Sequence, residues 1–433
     1  MTGHSGLVSR RGFLGASALG GTALLLTACS ATGGSGGATG GSGGGGKNFS
    51  WANWSDAPAT SQLYIDLITK YATDNGIQID RQANVSFADY NTKFRTLLAG
   101  GQPPDIMRLN DDFLRELQDK DQLFDTTALI ASSGMKIADY FPEVFNFGER
   151  NGKHSAMTIG LSPRVVYYNK TAFQKAGVPL PPSTWSMDGW KWDDFLNAAK
   201  ALTKGTSQYG CQITLDTGNE QAWSANNGGE GIFSKDGKTF TLAEGANLEA
   251  MQWAADLSLK HKVQAPWADV QATNATYDRF ANQQDMMRTG PMSDYTTMQT
   301  IAKDFEFGVA PMPGQVKQLQ NGGFTLFVIP AKAKNPEAAF KFLSYLSGPE
   351  GGKQFAEKAV FVAVNREAAS GLTSGLKLFG EAADNQTTTN STTATSQAVA
   401  LYRPQLQLAY GGNKTVKEAL GSVADQINSL LQG

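Results

Sequence analysis

Aromatic rings stand beside amides and carboxylates at several turns of this chain. Asn53-Trp54 ends one short apolar run, Asn110-Asp111 ends another, and Trp223 to Gly229 places a ring next to Asn226 and Asn227. That combination suits a polyhydroxylated ligand. A flat aromatic face covers C–H bonds, while amides and carboxylates exchange hydrogen bonds with hydroxyls. Of the eight tryptophans, core packing is expected to claim most. Other chemistries are poorly served. The three histidines are His4, His154 and His261, too few and too scattered for a histidine metal site or a triad. Glycoside cleavage needs two carboxyls about 5–9.5 Å apart across the bond, and the adjacent pairs Asp111-Asp112 and Asp193-Asp194 do not supply that. Asp193-Asp194 reads instead as the first turn of a helix, where the dipole favours acids. Gly33 to Gly37 fits G-x-S-x-G but lacks the flanking strand and helix that the motif requires. These residues argue against histidine-based metal sites, catalytic triads and paired-carboxylate cleavage, and no cofactor is expected.

The first forty-six residues cannot build a core. Arg10-Arg11 precedes a short run of small and apolar residues, then Leu26-Thr27-Ala28-Cys29. This order reads as an export signal over residues 1–28, twin-arginine-like, ending in a sequence that resembles a bacterial lipoprotein box. The run is too short to span a bilayer, which takes about 20 apolar residues. Cys29 would carry the lipid. Residues 29–47 then form a Gly/Ser tether with a span of roughly 20–25 Å. The expected location is the outer face of the cytoplasmic membrane, at the bacterial cell surface. With Cys29 lipidated, Cys211 has no disulfide partner and reads as a small buried residue.

From Lys47 onward 387 residues remain, enough for two domains. The net charge is -2 and no dense basic patch appears, so nucleic acid is not an expected partner. Lys47 to Trp51 reads as a strand. Tyr64, Leu67, Ile68 and Tyr71 form a helical stripe. Ile77 to Gln82 alternates like a strand, Tyr90 to Leu98 is helical, and Asp105 to Leu109 is a strand. Strand and helix alternate, as in a doubly wound α/β lobe. Ligands there meet the carboxyl ends of strands, which points to Asn53-Trp54 and Asn110-Asp111. Further on, Ser155–Ile159, Arg164–Tyr168, Tyr209–Leu215 and Phe324–Ile329 read as strands. Lys170–Ala176, Phe195–Leu202 and Leu248–Lys260 read as helices, as does the run opening at Asn335-Pro336-Glu337. Trp223 to Gly229 reads as a loop, Thr387 to Ser396 as a mobile polar loop, and Val416 to Leu430 as a last helix.

Several of these segments resemble, in order, the family 1 extracellular solute-binding proteins of ABC importers, the group that includes maltodextrin-binding proteins. Gly100-Gly101-Gln102-Pro103-Pro104-Asp105-Ile106 carries one part of the resemblance. Val166-Tyr167-Tyr168-Asn169-Lys170 with Phe173, Ala176-Gly177, Pro179 and Pro182 carries the most specific part. Asp285-Met286-Met287 with Gly290-Pro291, and Asn321 to Ser347, continue it. The sequence departs at Ser186 to Lys191, read as a small insertion that leaves the roles of Trp185 and Trp190 open. The resemblance implies an α/β fold of the two-lobed periplasmic-binding-protein type, type II class, with a hinge of three crossovers near 158–162, 288–291 and 326–330. The lobes would be 48–159 plus 290–327 and 160–289 plus 328–433. It implies a monomer that captures a mono- or oligosaccharide by closing on it and hands it to the permease subunits of an ABC transporter. To Asn53, Trp54, Asn110, Asp111, Trp223 and Asn226 it adds Asp294, Tyr295, Gly322, Gly323, Phe324, Arg366 and Tyr410 as ligand-binding candidates. The alternatives are a non-sugar solute (a polyol, a peptide, or ferric ion held by Tyr167-Tyr168) and a secreted glycoside hydrolase.

Overall fold

The computed structural model describes residues 47–54, 58–81, 85, 87–186, 189–272 and 275–433. The signal, Cys29 and nearly all of the tether lie outside the described residues. Two sheets organise the remainder. The first has six strands in the order Val362–Ala363, Met157–Ser162, Gly323–Val328, Ile106–Leu109, Phe49–Ala52 and Ile79–Arg81. Phe49–Ala52 runs parallel to both neighbours, with Phe49 opposite Ile79 and Trp51 opposite Ile106. Parallel pairs need crossover connections, and helices Pro58–Asn75 and Phe87–Ala99 supply them. Gly323–Val328 is antiparallel to its neighbours, placing Leu326 opposite Leu109.

The stripe Ala339, Phe342, Leu343 and Leu346 of helix Pro336–Ser347 is fully buried against this sheet. Trp51 packs between Phe327 at 4.3 Å and Phe342 at 5.5 Å. Asp105 locks the helix to the sheet. Its carboxylate accepts from the Ser50 N–H at 2.8 Å, the Lys334 N–H at 2.6 Å and the Asn335 N–H at 2.9 Å. This gives the Pro104-Asp105 segment a structural reason, because an otherwise costly buried carboxylate is saturated with backbone donors.

The second sheet is antiparallel: Met287–Pro291, Arg164–Asn169 and Phe307–Ala310. Alternation sends Val166 and Tyr168 into the second core and Val165 and Tyr167 into the first. Tyr167 and Tyr168 therefore cannot share an ion, and the Tyr167 hydroxyl donates to the Pro291 carbonyl at 2.8 Å. The second core is completed by helices Trp192–Leu202, Thr217–Asn226, Gly245–Leu259, Thr395–Tyr410 and Val416–Gln432. Cys211 sits inside it, and burial pushes its thiol pKa well up. Tyr209–Leu215 lies beside the sheet through isolated bridges at Tyr209 and Gln212 and builds no continuous strand. Among the described residues no helix is long and apolar enough to cross a membrane.

The chain passes between the sheets at Ser162–Arg164, again between Ala310 and Gly323, and again between Ala383 and Thr395. The lobe limit expected at residue 290 falls inside Met287–Pro291, a strand of the second sheet. The limit expected at 328 would send helix Pro336–Ser347 to the second lobe, whereas its stripe covers the first sheet. Periodicity reveals an apolar stripe but not which sheet the stripe covers.

Candidate functional site

Between the lobes lies a cavity of about 370 Å³. The first lobe lines it with Trp54, Asn110, Asp111, Phe147, Gly323 and Phe324, and the second with Arg164, Thr217 and Gly218. Asn321, Thr389 and Ser391 come from the segments that cross between the lobes. The trough continues both ways. A space of about 670 Å³ shares Asn110 with it, and one of about 200 Å³ shares Thr389 and Ser391.

Several wall residues are held from behind. The Tyr90 hydroxyl donates to the Ala52 carbonyl at 3.2 Å and accepts the Arg108 N–H at 3.0 Å, tying the tips of two parallel strands together. Arg108 then lies 4.0 Å over the Trp54 ring and donates to Asn53 Oδ1 at 3.2 Å. Asn53 thus supports the wall from beside the cavity. Phe147 and Phe324 stack with ring centroids 4.2 Å apart. Asn110 caps helix Asp111–Asp119, its Oδ1 accepting the Phe113 N–H at 3.0 Å, so its amide N–H groups are what it can offer a ligand.

Opposite stands the first turn of helix Thr217–Asn226. Asp216 caps it by accepting the Asn219 N–H at 2.9 Å and pairs with Arg164 Nη2 at 2.8 Å. Gly218 is required by close approach, since a Cβ there would fall 2.6 Å from Arg164 Nη2 and 3.0 Å from the Asn321 carbonyl oxygen. Beneath this turn Glu220 is fully buried. Arg403 binds its carboxylate at 2.9 and 3.1 Å, and the Tyr402 hydroxyl donates to it. Burial holds the Glu220 pKa above the ordinary carboxylate value, opposed by Arg403 and the Tyr402 hydroxyl.

The crossing segments are fastened by two buried glutamines. Gln320 Oε1 accepts the Arg164 N–H at 2.9 Å, and Gln320 Nε2 donates to the Ala382 carbonyl and to Gln386 Oε1. Gln386 exchanges hydrogen bonds with both backbone groups of Gly322, each at 3.2 Å.

Of the expected ligand residues, Trp54, Asn110, Asp111, Gly323 and Phe324 line the cavity, with Asn53 behind them. The others do not line it. Trp223 and Asn226 lie in a helix, not a loop. Trp223 is 1% exposed and packs against Trp192 and Trp253. Asn226 clamps the following segment, donating to the Pro313 and Leu319 carbonyls and accepting the Leu319 N–H. Asp294 pairs with Arg288 at 2.8 Å and accepts the Tyr277 hydroxyl at 3.0 Å. Tyr295 packs on Phe307 and Phe379. Gly322 is pressed against Ser162, whose carbonyl oxygen lies 2.3 Å from where a Cβ would sit. Arg366 pairs with Asp384 at 2.7 Å and covers Phe141. Tyr410 is buried edge-on against Trp267. Phe147, Arg164, Thr217, Gly218, Asn321, Thr389 and Ser391 went unanticipated. A signal existed for two of them, in the hydroxyl-rich tract Thr387 to Ser396, which lines the trough. At the departure point, the Trp185 N–H donates to Glu381 Oε2 at 2.7 Å and its indole N–H to the Gln318 carbonyl at 2.9 Å, while Trp190 is buried.

Comparison with known proteins bears on the family and the fold. A family model described as "Bacterial extracellular solute-binding protein" matches residues 51–353. A putative binding protein of Brucella abortus is 29% identical over 225 residues, 51% of this chain and 53% of that protein. The chain thus spans about half the length of that relative. An sn-glycerol-3-phosphate-binding periplasmic protein of Salmonella typhimurium is 24% identical over 332 residues, 68% of this chain and 70% of that protein. Among solved structures, the ABC substrate-binding protein of Listeria monocytogenes in complex with cycloalternan superposes with a TM-score of 0.76 at 22% identity, over 89% of this chain and 99% of that one.

Proposed function

The chain belongs to the bacterial extracellular solute-binding proteins, and from that premise we propose that it captures a neutral carbohydrate between its lobes for an ABC importer. The observation that carries the reading is the composition of the central cavity. Trp54, Phe147 and Phe324 supply aromatic surface, and Asn110, Asp111, Thr217, Thr389 and Ser391 supply amide, carboxylate and hydroxyl groups. The solved relative with bound cycloalternan shares the fold. Among the described residues lining this cavity the one cation is Arg164, and it is already paired with Asp216. That balance favours a neutral sugar over a polyol phosphate. Because both lobes and the crossing segments line the cavity, closure brings the full set of contacts to the ligand, and the ligand in turn favours closure.

A thermal-shift screen of the soluble domain against neutral mono- and oligosaccharides, with sn-glycerol 3-phosphate included, tests the reading. At a hundredfold excess over Kd a ligand stabilises by about 2.7 kcal/mol. A shift with a sugar supports the proposal; a shift confined to the phosphate overturns it. The proposal extends to the anchor: Cys29 carries lipid and tethers a monomer to the outer face of the cytoplasmic membrane, where it meets the permease. Cys29→Ser should move the protein from the membrane fraction to the soluble one, and unchanged membrane association would refute the anchor. Members of the family are binding proteins, and no catalytic step is proposed.

A further inference from the structure

The Glu220–Arg403 pair beneath the cavity reaches the cavity through one hydroxyl. Arg403 Nη2 donates to Thr217 Oγ1 at 3.0 Å while the same guanidinium binds the Glu220 carboxylate. Thr217 begins its helix and lines the cavity. A guanidinium has donors and no acceptor. The Thr217 proton therefore cannot be directed at Arg403, and no acceptor within the described residues takes it. A hydroxyl that accepts a charge-assisted bond on its oxygen is also a stronger donor through its hydrogen.

We propose that Arg403 is a positioning residue for ligand recognition: held by Glu220 and Tyr402, it fixes Thr217 as an obligate hydrogen-bond donor into the cleft, which selects a ligand presenting an acceptor oxygen at that point. A serine or threonine hydroxyl normally rotates to suit either partner. Here rotation is limited from below, because turning the hydrogen toward Arg403 sets it against a cation. Glu220 matters at one remove. Its bidentate grip keeps the guanidinium in register with the first helical turn, and the Tyr402 hydroxyl on the same carboxylate fixes it further. Gly218, the next residue, leaves room for the Arg164 guanidinium beside the turn. The turn is thus contacted by two arginines, Arg403 at Thr217 and Arg164 at Asp216.

This inference rests on the cleft being the carbohydrate site, and its test is built to fail separately. The tightest-binding saccharide from the screen above is titrated calorimetrically into Thr217→Ser, Thr217→Val, the double variant Glu220→Gln/Arg403→Gln, and that double variant combined with Thr217→Val. The double variant removes both charges of the pair together, so it keeps the fold where Arg403→Gln alone leaves the buried Glu220 without its partner. Losing one hydrogen bond to the ligand corresponds to about a tenfold rise in Kd. Thr217→Ser should stay within about threefold of the parent, and Thr217→Val should lose about tenfold. The double variant should lose about three- to tenfold with Thr217 present, and less than about twofold once Thr217→Val has already removed the hydroxyl. Equal losses in both backgrounds would show that the pair acts on the fold and not through Thr217, and would overturn the proposal. So would parental affinity in Thr217→Val. If no saccharide binds the parent protein, the carbohydrate reading itself falls and takes this inference with it.

Discussion

Arg403→Met is the sharpest test of how the second lobe is held together. The wild-type pair joins a guanidinium side chain that is 24% exposed to a carboxylate that is 1% exposed. Removing the arginine leaves the Glu220 carboxyl buried, with the Tyr402 hydroxyl as its remaining side-chain partner. Breaking a buried pair this way costs about 3–5 kcal/mol. Water can follow the partly exposed Arg403 side, which sets the expectation near the lower end, about 3 kcal/mol. Urea unfolding at pH 7, followed by tryptophan fluorescence, measures it. The Glu220→Gln/Arg403→Met double variant removes both charges and should recover most of the loss. The penalty must also depend on pH. The Glu220 carboxyl titrates higher in the fold than in the unfolded chain because of burial, so between those two values the folded state binds more protons. Stability then falls as pH rises through that window. Removing Arg403 lifts the folded value further and widens the window. The cost of Arg403→Met should therefore be larger at pH 7 than near the unfolded value of 4.5, shrinking as pH falls between them. A loss under about 1 kcal/mol at pH 7, or a double variant no better than the single one, would refute the assignment of this pair as a structural clasp.

Phe324→Ala removes one ring of the cleft pair and should weaken saccharide binding by about tenfold, since aromatic contacts of this kind contribute about 0.5–1.5 kcal/mol beyond burial; calorimetric affinity within about twofold of the parent would contradict its place in the wall. Trp223→Phe should do the reverse, lowering stability by about 1–3 kcal/mol while leaving affinity unchanged, and a selective loss of affinity would return Trp223 to the site. Gly218→Ala should displace Arg164 from Asp216 and raise Kd by about tenfold with little effect on helix formation; parental affinity would show that the approach at 2.6 Å is relieved without consequence. Burial holds His154 below its ordinary pKa, so the unfolded chain binds the proton more readily. Stability should be intact above the unfolded value near 6.5 and decline as pH falls through the window below it. His154→Asn should flatten that part of the urea-midpoint profile, and an unchanged slope would remove His154 as its source.

Element order was largely legible because period and punctuation agree. The stripe of Tyr64, Leu67, Ile68 and Tyr71 becomes helix Pro58–Asn75, and Asn335-Pro336-Glu337 opens helix Pro336–Ser347. Helix Thr217–Asn226 escaped for a physical reason. Every residue from Asn219 to Asn226 is buried, so no polar face exists to produce a stripe, and the run Trp223 to Gly229 looks like a loop. Asp216 was the one local cue, as its cap. The site divides similarly. Trp54, Asn110 and Asp111 were readable because parallel strands carry ligands at their carboxyl ends. Arg164 opens a strand, Thr217 opens a helix and Thr389 lies in a crossing segment. They meet only after the lobes pack, and no local spacing encodes that. Tyr410 and Asp294 misled in the opposite sense, since a ring or a carboxylate at the expected position was spent on Trp267 and Arg288.

The placement of Arg164 explains why site and hinge cannot be separated here. It opens the central strand of the second sheet, with Pro163 alone between it and the end of the first-sheet strand Met157–Ser162. Its backbone N–H is held by Gln320, which is fastened to Gln386, so a single residue is bound to the other two crossings. Its guanidinium meanwhile bridges Asp216 of the second lobe and the Asn321 carbonyl of a crossing segment, at 2.8 and 3.3 Å. A rotation of one lobe about these crossings must move the Thr217–Gly218 turn relative to Trp54 and Phe324, because the turn belongs to the second lobe and the two rings to the first. The glutamine pair limits where bending occurs, since any shear between the strands would break buried amide hydrogen bonds at about 1–3 kcal/mol each. Bending is then left to dihedrals along the crossings. Both cavity walls and the hydrogen bonds at the pivot thus respond to one coordinate, so the affinity proposed for this cavity depends on the pivot as much as on the rings of its wall.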